Sequence, residues 1–346
     1  MATLRSDIII PEVFTPYVIE QTTQRDAFLA SGVVQPMAEL NAAEGGGDFI
    51  NVPFYAANLS GDFEVLSDSS SLTPGKITAD KQVGVVLHRG RAFESRDLAA
   101  LAAGSDPMAA IGAKIADYIA NQRQKDLLSC LAGVFGTVHT TSSSAAFFPL
   151  TIDGESGDTP TALSPRHVAE AKALLGDQGE KLTAICMHSK VYYDLVERRA
   201  IDYVTATDAR QTGLGTAEDA FGGTIQNAFG EVSVPTFMGL RVIVSDDVQT
   251  TGSGSSTEYA TYFFVQGAVA SGEQMAMQTE TDRDILAKSD ALSVDLHYVY
   301  HPMGVKFNKS VVNPTRAQLE TVGNWTKVYE TKNIGMVRAT NVSNFD

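Results

Sequence analysis

Apolar residues return at three- and four-residue steps over one long stretch, from about Asp106 to about Phe135. Met108, Ile111, Ile115, Tyr118 and Ile119 carry the first part; after a polar interval at Gln122 to Lys125, Leu127, Leu128, Leu131, Val134 and Phe135 resume it. Asp106 is a capping residue type, and Pro107 suits a first helical turn, where a missing N–H leaves no bond unmade. Gly133 and Gly136 close the segment. At ~1.5 Å per residue the predicted helix is roughly 43 Å long, more than a compact domain needs, so it reads as a strut.

The pattern on either side divides the chain. Ile8 to Pro11 and a modest helical repeat through Val18, Ile19, Phe28 and Leu29 read as an arm with one helix, ending at Ser31-Gly32 and then Gly45-Gly46-Gly47. Phe49 to Phe54 is a predicted strand, and Val83 to Phe93 a second strand-like run. Residues 56 to 82 between them are polar and turn-rich, too long for a simple connection. The two strands would form a long hairpin leaving the body, stable only when another molecule covers it.

After the strut, Thr137 to Thr161 reads as an exposed loop. Ser164 and Pro165 start a helix with Val168, Ala171, Leu174 and Leu175 inward and Gly176 as its stop. Leu182 to Met187 is a strand, and Ser189 is the predicted cap of a helix carrying Tyr192, Leu195 and Val196 on one face. Thr205 to Gly230 reads as another loop. Strands follow at Leu240 to Asp247, Tyr262 to Val265 and Leu292 to His301, then a short helix near Arg316 to Thr321 and a last strand at Ile334 to Val337. The class is α+β.

With 346 residues and 44% hydrophobic residues, the chain has material for two or more lobes. Lys and Arg total 26 against 41 Asp and Glu, a formal charge of -15, which argues against a dedicated nucleic-acid grip. Neither a basic-then-apolar leader nor eighteen consecutive apolar residues occur, so neither secretion nor membrane insertion is expected. Cys130 and Cys186, on a helix and a strand, read as buried thiols in a reducing compartment.

The search for chemistry yields no catalytic, cofactor or metal site. Gly45-Gly46-Gly47 and Gly75-Lys76 lack the remainder of a phosphate-binding loop. His297 and His301 have the spacing of a helical zinc pair, but on a strand they stand roughly 13 Å apart. His88, His139, His167 and His188 show no ligand spacing with the cysteines. Acidic clusters at Asp153 to Asp158, Asp246-Asp247 and Glu280 to Asp284 lack the calcium-loop alternation and read as solvated loop charge.

The local phrases Ser31-Gly32-Val33-Val34, Leu59-Ser60-Gly61, Thr73-Pro74-Gly75-Lys76 and Leu87-His88-Arg89-Gly90-Arg91-Ala92, then Met187 to Tyr192, Gly239 to Asp247, His301-Pro302-Met303-Gly304, Asn313-Pro314-Thr315 and Asn324-Trp325, occur in this order along the chain. Together they resemble the major capsid proteins of tailed phages, with the Hong Kong 97-type fold. The subgroup it most resembles is that of cyanobacterial and environmental phages. The resemblance implies a structural protein, not an enzyme, whose copies form hexamers and pentamers of an icosahedral shell around double-stranded DNA. It implies an N-terminal arm (1–47), an extended loop lying across a neighbour (48–98), a peripheral domain with the strut as its spine helix (99–184), an axial domain (185–290) and a return to the peripheral domain (291–346). Portal and scaffolding proteins, and in some members a cement protein, are the further partners; the place is the virion capsid, assembled in the bacterial cytoplasm.

On that reading Phe63, Lys76 and Lys81 in the loop, and Arg89, Arg91 and Arg96 at its base, are candidate contacts with neighbouring subunits. The arginines would pair with a neighbour's acidic residues. Some members join loop lysines to asparagines as isopeptide links; no local motif for that carries over here. The polar interval at Gln122 to Lys125 then suggests a helix with one side on a sheet and a polar side toward the shell interior. Two alternatives keep the fold or the size but change the function: an encapsulin-like cellular nanocompartment, and a cytoplasmic enzyme with a site assembled from residues such as His188, Asp246 and His297.

Overall fold

The computed structural model describes residues 28, 31–41, 47–55, 79–103, 107–136, 145–152, 160–205, 233–254 and 257–345. Outside them lie most of the predicted arm helix, the Asp106 cap, the far part of the hairpin with Phe63 and Lys76, the acidic cluster Asp153 to Asp158 and the loop at 206–230.

The described strands form three sheets. β1 (Val34–Pro36), β13 (Val269–Asp284), β14 (Ser289–Pro302) and β4 (Leu87–Arg96) make the first, in that order. Its centre is a long antiparallel ladder running from Val269 opposite Pro302 to Asp284 opposite Ser289. Among the described residues β1 covers only Val269 to Ser271, so most of β13 is an edge strand of the described sheet. This is where Glu280 to Asp284 fall: they belong to a strand, not a loop, and their charge suits an exposed edge that must not pair with another chain.

The second sheet has nine strands. Its main order is β5 (Thr151–Ile152), β17 (Met336–Val342), β12 (Glu258–Val265), β7 (Leu182–Met187), β10 (Leu240–Val244), β9 (Ser233–Phe237) and β8 (Asp202–Thr205), with β6 (Thr161–Ala162) added on β17 and β11 (Thr250–Thr251) on β12. β7 and β10 are parallel, and β12 runs antiparallel to both β7 and β17. β12 and β17 are buried along nearly all their length, which suits the mainly apolar and small residues of both; Arg338 and Asn341 of β17 are buried polar exceptions. The C-terminal strand therefore lies in the same sheet as residues 182–265.

In the third sheet, β2 (Phe49–Tyr55) and β3 (Ala79–Val85) pair from Phe49 opposite Val85 to Tyr55 opposite Ala79, the root of the predicted hairpin. β15 (Val305–Phe307) and β16 (Trp325–Lys327) complete it, joined to β3 at Lys306 opposite Val83. The run Val83 to Phe93 is not one strand: it breaks at Val86, whose N–H donates to the Asp48 carbonyl, and continues as β4 in the first sheet. The three arginines are thus on the body of the subunit rather than on the hairpin.

Helices are α1 (Asp97–Ala103), α2 (Pro107–Phe135), α3 (Pro165–Leu175), α4 (Ser189–Glu197) and α5 (Arg316–Leu319). α2 has 29 residues and ends at Gly136, which at φ 83 takes the left-handed turn that glycine allows. The buried Arg338 of β17 donates to the Gly136 carbonyl, placing a cation at the negative end of the helix. Gly133 is not a terminator. A Cβ there would collide with the Leu319 carbonyl oxygen and with Trp325 Nε1, so glycine lets the C-terminal tract lie against the helix.

Burial along α2 changes with length more than with face. From Asp126 to Gly136 every residue is buried, whereas from Ile111 to Arg123 the described side chains are half-buried or exposed. The expected two-sided helix is thus corrected for its C-terminal third, which the second sheet and the C-terminal tract enclose. For α3, Ser164 caps as expected, its N–H donating to His167 Nδ1 at 3.2 Å, but Leu174 is exposed. For α4 the cap is His188 rather than Ser189, its Nδ1 accepting from the Lys190 N–H at 3.2 Å; Val196 is exposed. Cys130 and Cys186 are free and buried, and burial pushes both thiols up.

Candidate functional site

The polar interval of α2 lies where three parts of the chain meet. Ile115, Tyr118 and Ile119 turn toward β4 and β14, and Gln122, Arg123 and Asp126 follow on the same face. On the strands, period-two alternation presents Arg89, Arg91 and Phe93 from β4 and Val294, Leu296 and Tyr298 from β14 to the helix. Between helix and sheet is a cavity of about 370 Å³ with an apolar floor and a basic rim.

Asp126 is at its inner end, with a side chain 1% exposed. Its Oδ2 accepts from Arg89 Nε at 3.1 Å and from the Tyr298 hydroxyl at 2.6 Å, and its Oδ1 accepts from Arg316 Nε. Each arginine also reaches further. Arg89 donates to Asn313 Oδ1 at 3.1 Å and the Pro314 carbonyl at 2.7 Å; Arg316 donates to Gln122 Oε1 at 2.7 Å. One carboxylate therefore ties α2, β4, β14 and the C-terminal tract together. Burial, then the Asp126 charge, pushes the Tyr298 phenol well above its usual range, so it stays a donor.

The other polar residues of the interval radiate to different elements. Arg123 donates to the Tyr300 hydroxyl and to Glu273, both at 3.1 Å, with its guanidinium 5.1 Å from the Tyr298 ring centre. Gln124, buried, donates to Ser245 at 2.8 Å, and Lys125 pairs with Asp247 at 3.4 Å. The side chains of this interval serve contacts inside the subunit, while Arg123 and Lys125 keep part of their surface exposed. Unbroken apolar periodicity would have misplaced them, because each needs a polar partner far away in sequence.

A second polar cluster fixes the hairpin root. Gln82 of β3, buried, donates to the Tyr329 hydroxyl at 2.8 Å and accepts from the Gly304 N–H at 2.9 Å and from His301 Nε2 at 3.1 Å. Burial pulls His301 down to about 4, so it is neutral there. Further along the same face of β14, His297 lies edge-on to His88 at 4.2 Å between ring centres, with Asp48 3.4 Å from His88. Burial, then the neighbouring His88, lowers His297.

Among the predicted contact residues, Arg89 is spent on Asp126 within its own chain. Arg91 and Arg96 are exposed on β4, and Lys81 is exposed on β3 opposite Pro53; Phe63 and Lys76 lie outside the described residues. His188, Asp246 and His297 are not gathered into one site: His188 caps α4 beside Asp246, whereas His297 pairs with His88 in the first sheet. Asp126, Arg316 and Gln82 were not singled out by the sequence. The signal for Asp126 was present as a lone carboxylate opening the apolar resumption of the helix.

The family model described as major capsid protein 13-like matches residues 12–335. The major capsid protein of Bacillus phage SPP1 is 36% identical over 342 residues, covering 96% of both chains. Among solved structures, the capsid of Ralstonia phage GP4 gives a TM-score of 0.58 at 9% identity, over 91% of this chain and 88% of that one. The cyanophage Pam1 capsid asymmetric unit gives 0.55 at 13% identity, over 90% and 89%. At such identities the structural likeness is one of fold.

Proposed function

The chain belongs to the Gp13-like family of major capsid proteins, and from that premise we propose how its parts serve a shell. It is a tailed-phage major capsid protein, a structural subunit of an icosahedral capsid and not an enzyme. The finer reading is a Hong Kong 97-type subunit forming hexamers and pentamers around double-stranded DNA, with portal and scaffolding partners and assembly in the host cytoplasm. The placement among cyanobacterial and environmental phages stays part of this proposal, since the relative that matches by sequence is from a Bacillus phage.

The observation that carries the reading, beyond the family match, is the hairpin of β2 and β3. It is the outer part of a small sheet and leads to residues 56–78, with Tyr55 70% exposed where the described part of β2 ends. In our reading the extended loop, expected over residues 48–98, reaches across a neighbouring subunit beyond the β2–β3 root that stays on its own body; the first sheet and the exposed part of α2 form the peripheral region, and the nine-stranded sheet forms the axial region. Arg91, Arg96 and Lys81 remain the candidates for contact with neighbours. The acidic balance suits a wall that must release DNA, because a surface that neutralised many phosphates would oppose ejection.

Electron microscopy of the purified chain tests this: closed round shells are expected. Nuclease-resistant DNA in particles from infected cells favours the genome container, whereas a co-purified enzyme cargo favours the encapsulin-like alternative. A chain that stays small and monodisperse under all assembly conditions refutes both.

A further inference from the structure

The most exposed large apolar side chains in the described residues are not at the hairpin root but at the far end of the first sheet. There Leu286 is 97% exposed and Ile285 80%, in the turn between β13 and β14, with Leu98 and Leu101 of α1 also exposed. The turn is rigidly built. Asp284 Oδ1 accepts from the Leu286 and Ala287 N–H groups at 2.8 and 3.0 Å, and Arg283 bridges Asp97 and Asp290 at 2.7 and 2.8 Å. Two aliphatic side chains are thus held out into water by an ordered support, an arrangement that costs solvation and suits a contact.

The same sheet carries the cavity beside α2, floored by Phe93, Ile119, Val294 and Leu296. Charge complements shape. Around the turn stand Glu280, Asp282, Asp284, Asp290 and Asp97 against Arg283, Lys288 and Arg96; around the cavity stand Arg89, Arg91, Arg123 and Arg316 against Asp126 and Glu273. An acidic collar surrounds the apolar knob, and a basic rim surrounds the apolar hole, in a chain whose net charge is -15. Knob and hole cannot meet within one molecule. Both ride on β14, and the seven residue steps from Ser289 to Leu296 hold them roughly 24 Å apart at ~3.4 Å per step.

We propose that the Ile285–Leu286 turn of one copy inserts into the cavity between α2 and the first sheet of a second copy, with Arg91 meeting the acidic collar. The inference rests on the shell-subunit reading and deepens it. The contact is heterologous, so it propagates head to tail and closes into a ring where the rotation permits. Two side chains bury far less than the ~1,200 Å² of a stable pair, so the contact works by repetition across many copies rather than by making a free dimer.

Two variants test it. Ile285→Ser/Leu286→Ser alters only exposed positions; its melting temperature should match wild type while the protein concentration needed for shell assembly rises about tenfold or more. An unchanged assembly threshold overturns the proposal. The pair Leu286→Cys with Tyr118→Cys places thiols on knob and rim, Cys130 and Cys186 being fully buried. After oxidation of assembled particles it should give a ladder of covalent multimers on a non-reducing gel, and each single variant only monomer. Assembled particles of the double variant that run as monomer overturn the proposal. A wild-type chain that forms no shells fails earlier, and overturns the shell-subunit reading itself.

Discussion

Replacing Asp126 by Asn keeps the shape of the joint and removes its charge. The Asp126 carboxylate is buried and takes donors from Arg89, Arg316 and Tyr298, so the amide would leave two guanidiniums without their anion and offer one acceptor oxygen in place of two. Breaking a buried pair from one side costs about 3–5 kcal/mol. Here the Arg89 and Arg316 side chains are 26% and 39% exposed, so water relieves part of the penalty and the lower end, ~3 kcal/mol, is expected. Tyr298→Phe removes one hydrogen bond to the same carboxylate and should cost less, about 1.5–2 kcal/mol. Urea unfolding of the unassembled subunit, followed by the fluorescence of Trp325, measures both; it is the single tryptophan, and it packs beside Leu319 on the tract that Arg316 anchors. A double-mutant cycle of Asp126→Asn with Arg316→Gln should show a coupling above ~1 kcal/mol. If Asp126→Asn unfolds within about 0.5 kcal/mol of wild type, the joint does not hold these elements together and the argument fails.

Gly133→Ala should destabilise by about 2–3 kcal/mol despite a helix-propensity gain near 1, because its Cβ meets backbone and an indole; a red-shifted Trp325 emission in the folded state checks the displacement. Gly90→Ala is the contrast: its Cβ meets the Asp295 carboxylate end, which can swing away, so the loss should stay near 1 kcal/mol or below by the same unfolding assay. Arg91→Glu should leave the melting temperature unchanged and weaken shell assembly, whereas Arg89→Glu should lower the melting temperature first, since it sets a second carboxylate against Asp126. His301 titrates near 4 when folded and near 6.5 when unfolded, so between those values the unfolded chain binds more protons. Its contribution is complete above ~6.5, falls as pH drops toward 4 and amounts to ~3 kcal/mol; His301→Gln should flatten that part of a stability–pH curve measured by urea unfolding.

Local signals carried the elements that local chemistry determines. The strut, the Ser164 cap, the strand Leu182 to Met187 and the root of the hairpin follow from periodicity, capping side chains and turn residues, which are properties of neighbouring positions. The break at Val86 was not legible, because a chain that changes sheets keeps its alternation while its partners change from β2 to β14. β13 was hidden for the opposite reason: an edge strand that must repel other edges carries Glu, Asp and Arg, and so imitates a loop.

The joint at Asp126 shows the same limit at the level of the site. In the structure Gln122, Arg123 and Asp126 continue the face of Ile115 and Ile119, whereas the sequence alone assigns the interval Gln122 to Lys125 to a polar outer side and passes over Asp126. What reverses it is Arg316, which stands 190 residues further along the chain and becomes a neighbour only when the C-terminal tract folds back across the helix. A carboxylate within an apolar helix stripe is costly alone and stable once paired, so its presence there already implies a cation brought from elsewhere. That implication has a use in choosing test variants. Arg89 and Arg91 look equivalent in the phrase Leu87 to Ala92, but a buried anion beside one of them makes it internal support and leaves the other for the outer surface, so only Arg91 can report on contacts between subunits without first loosening the subunit itself.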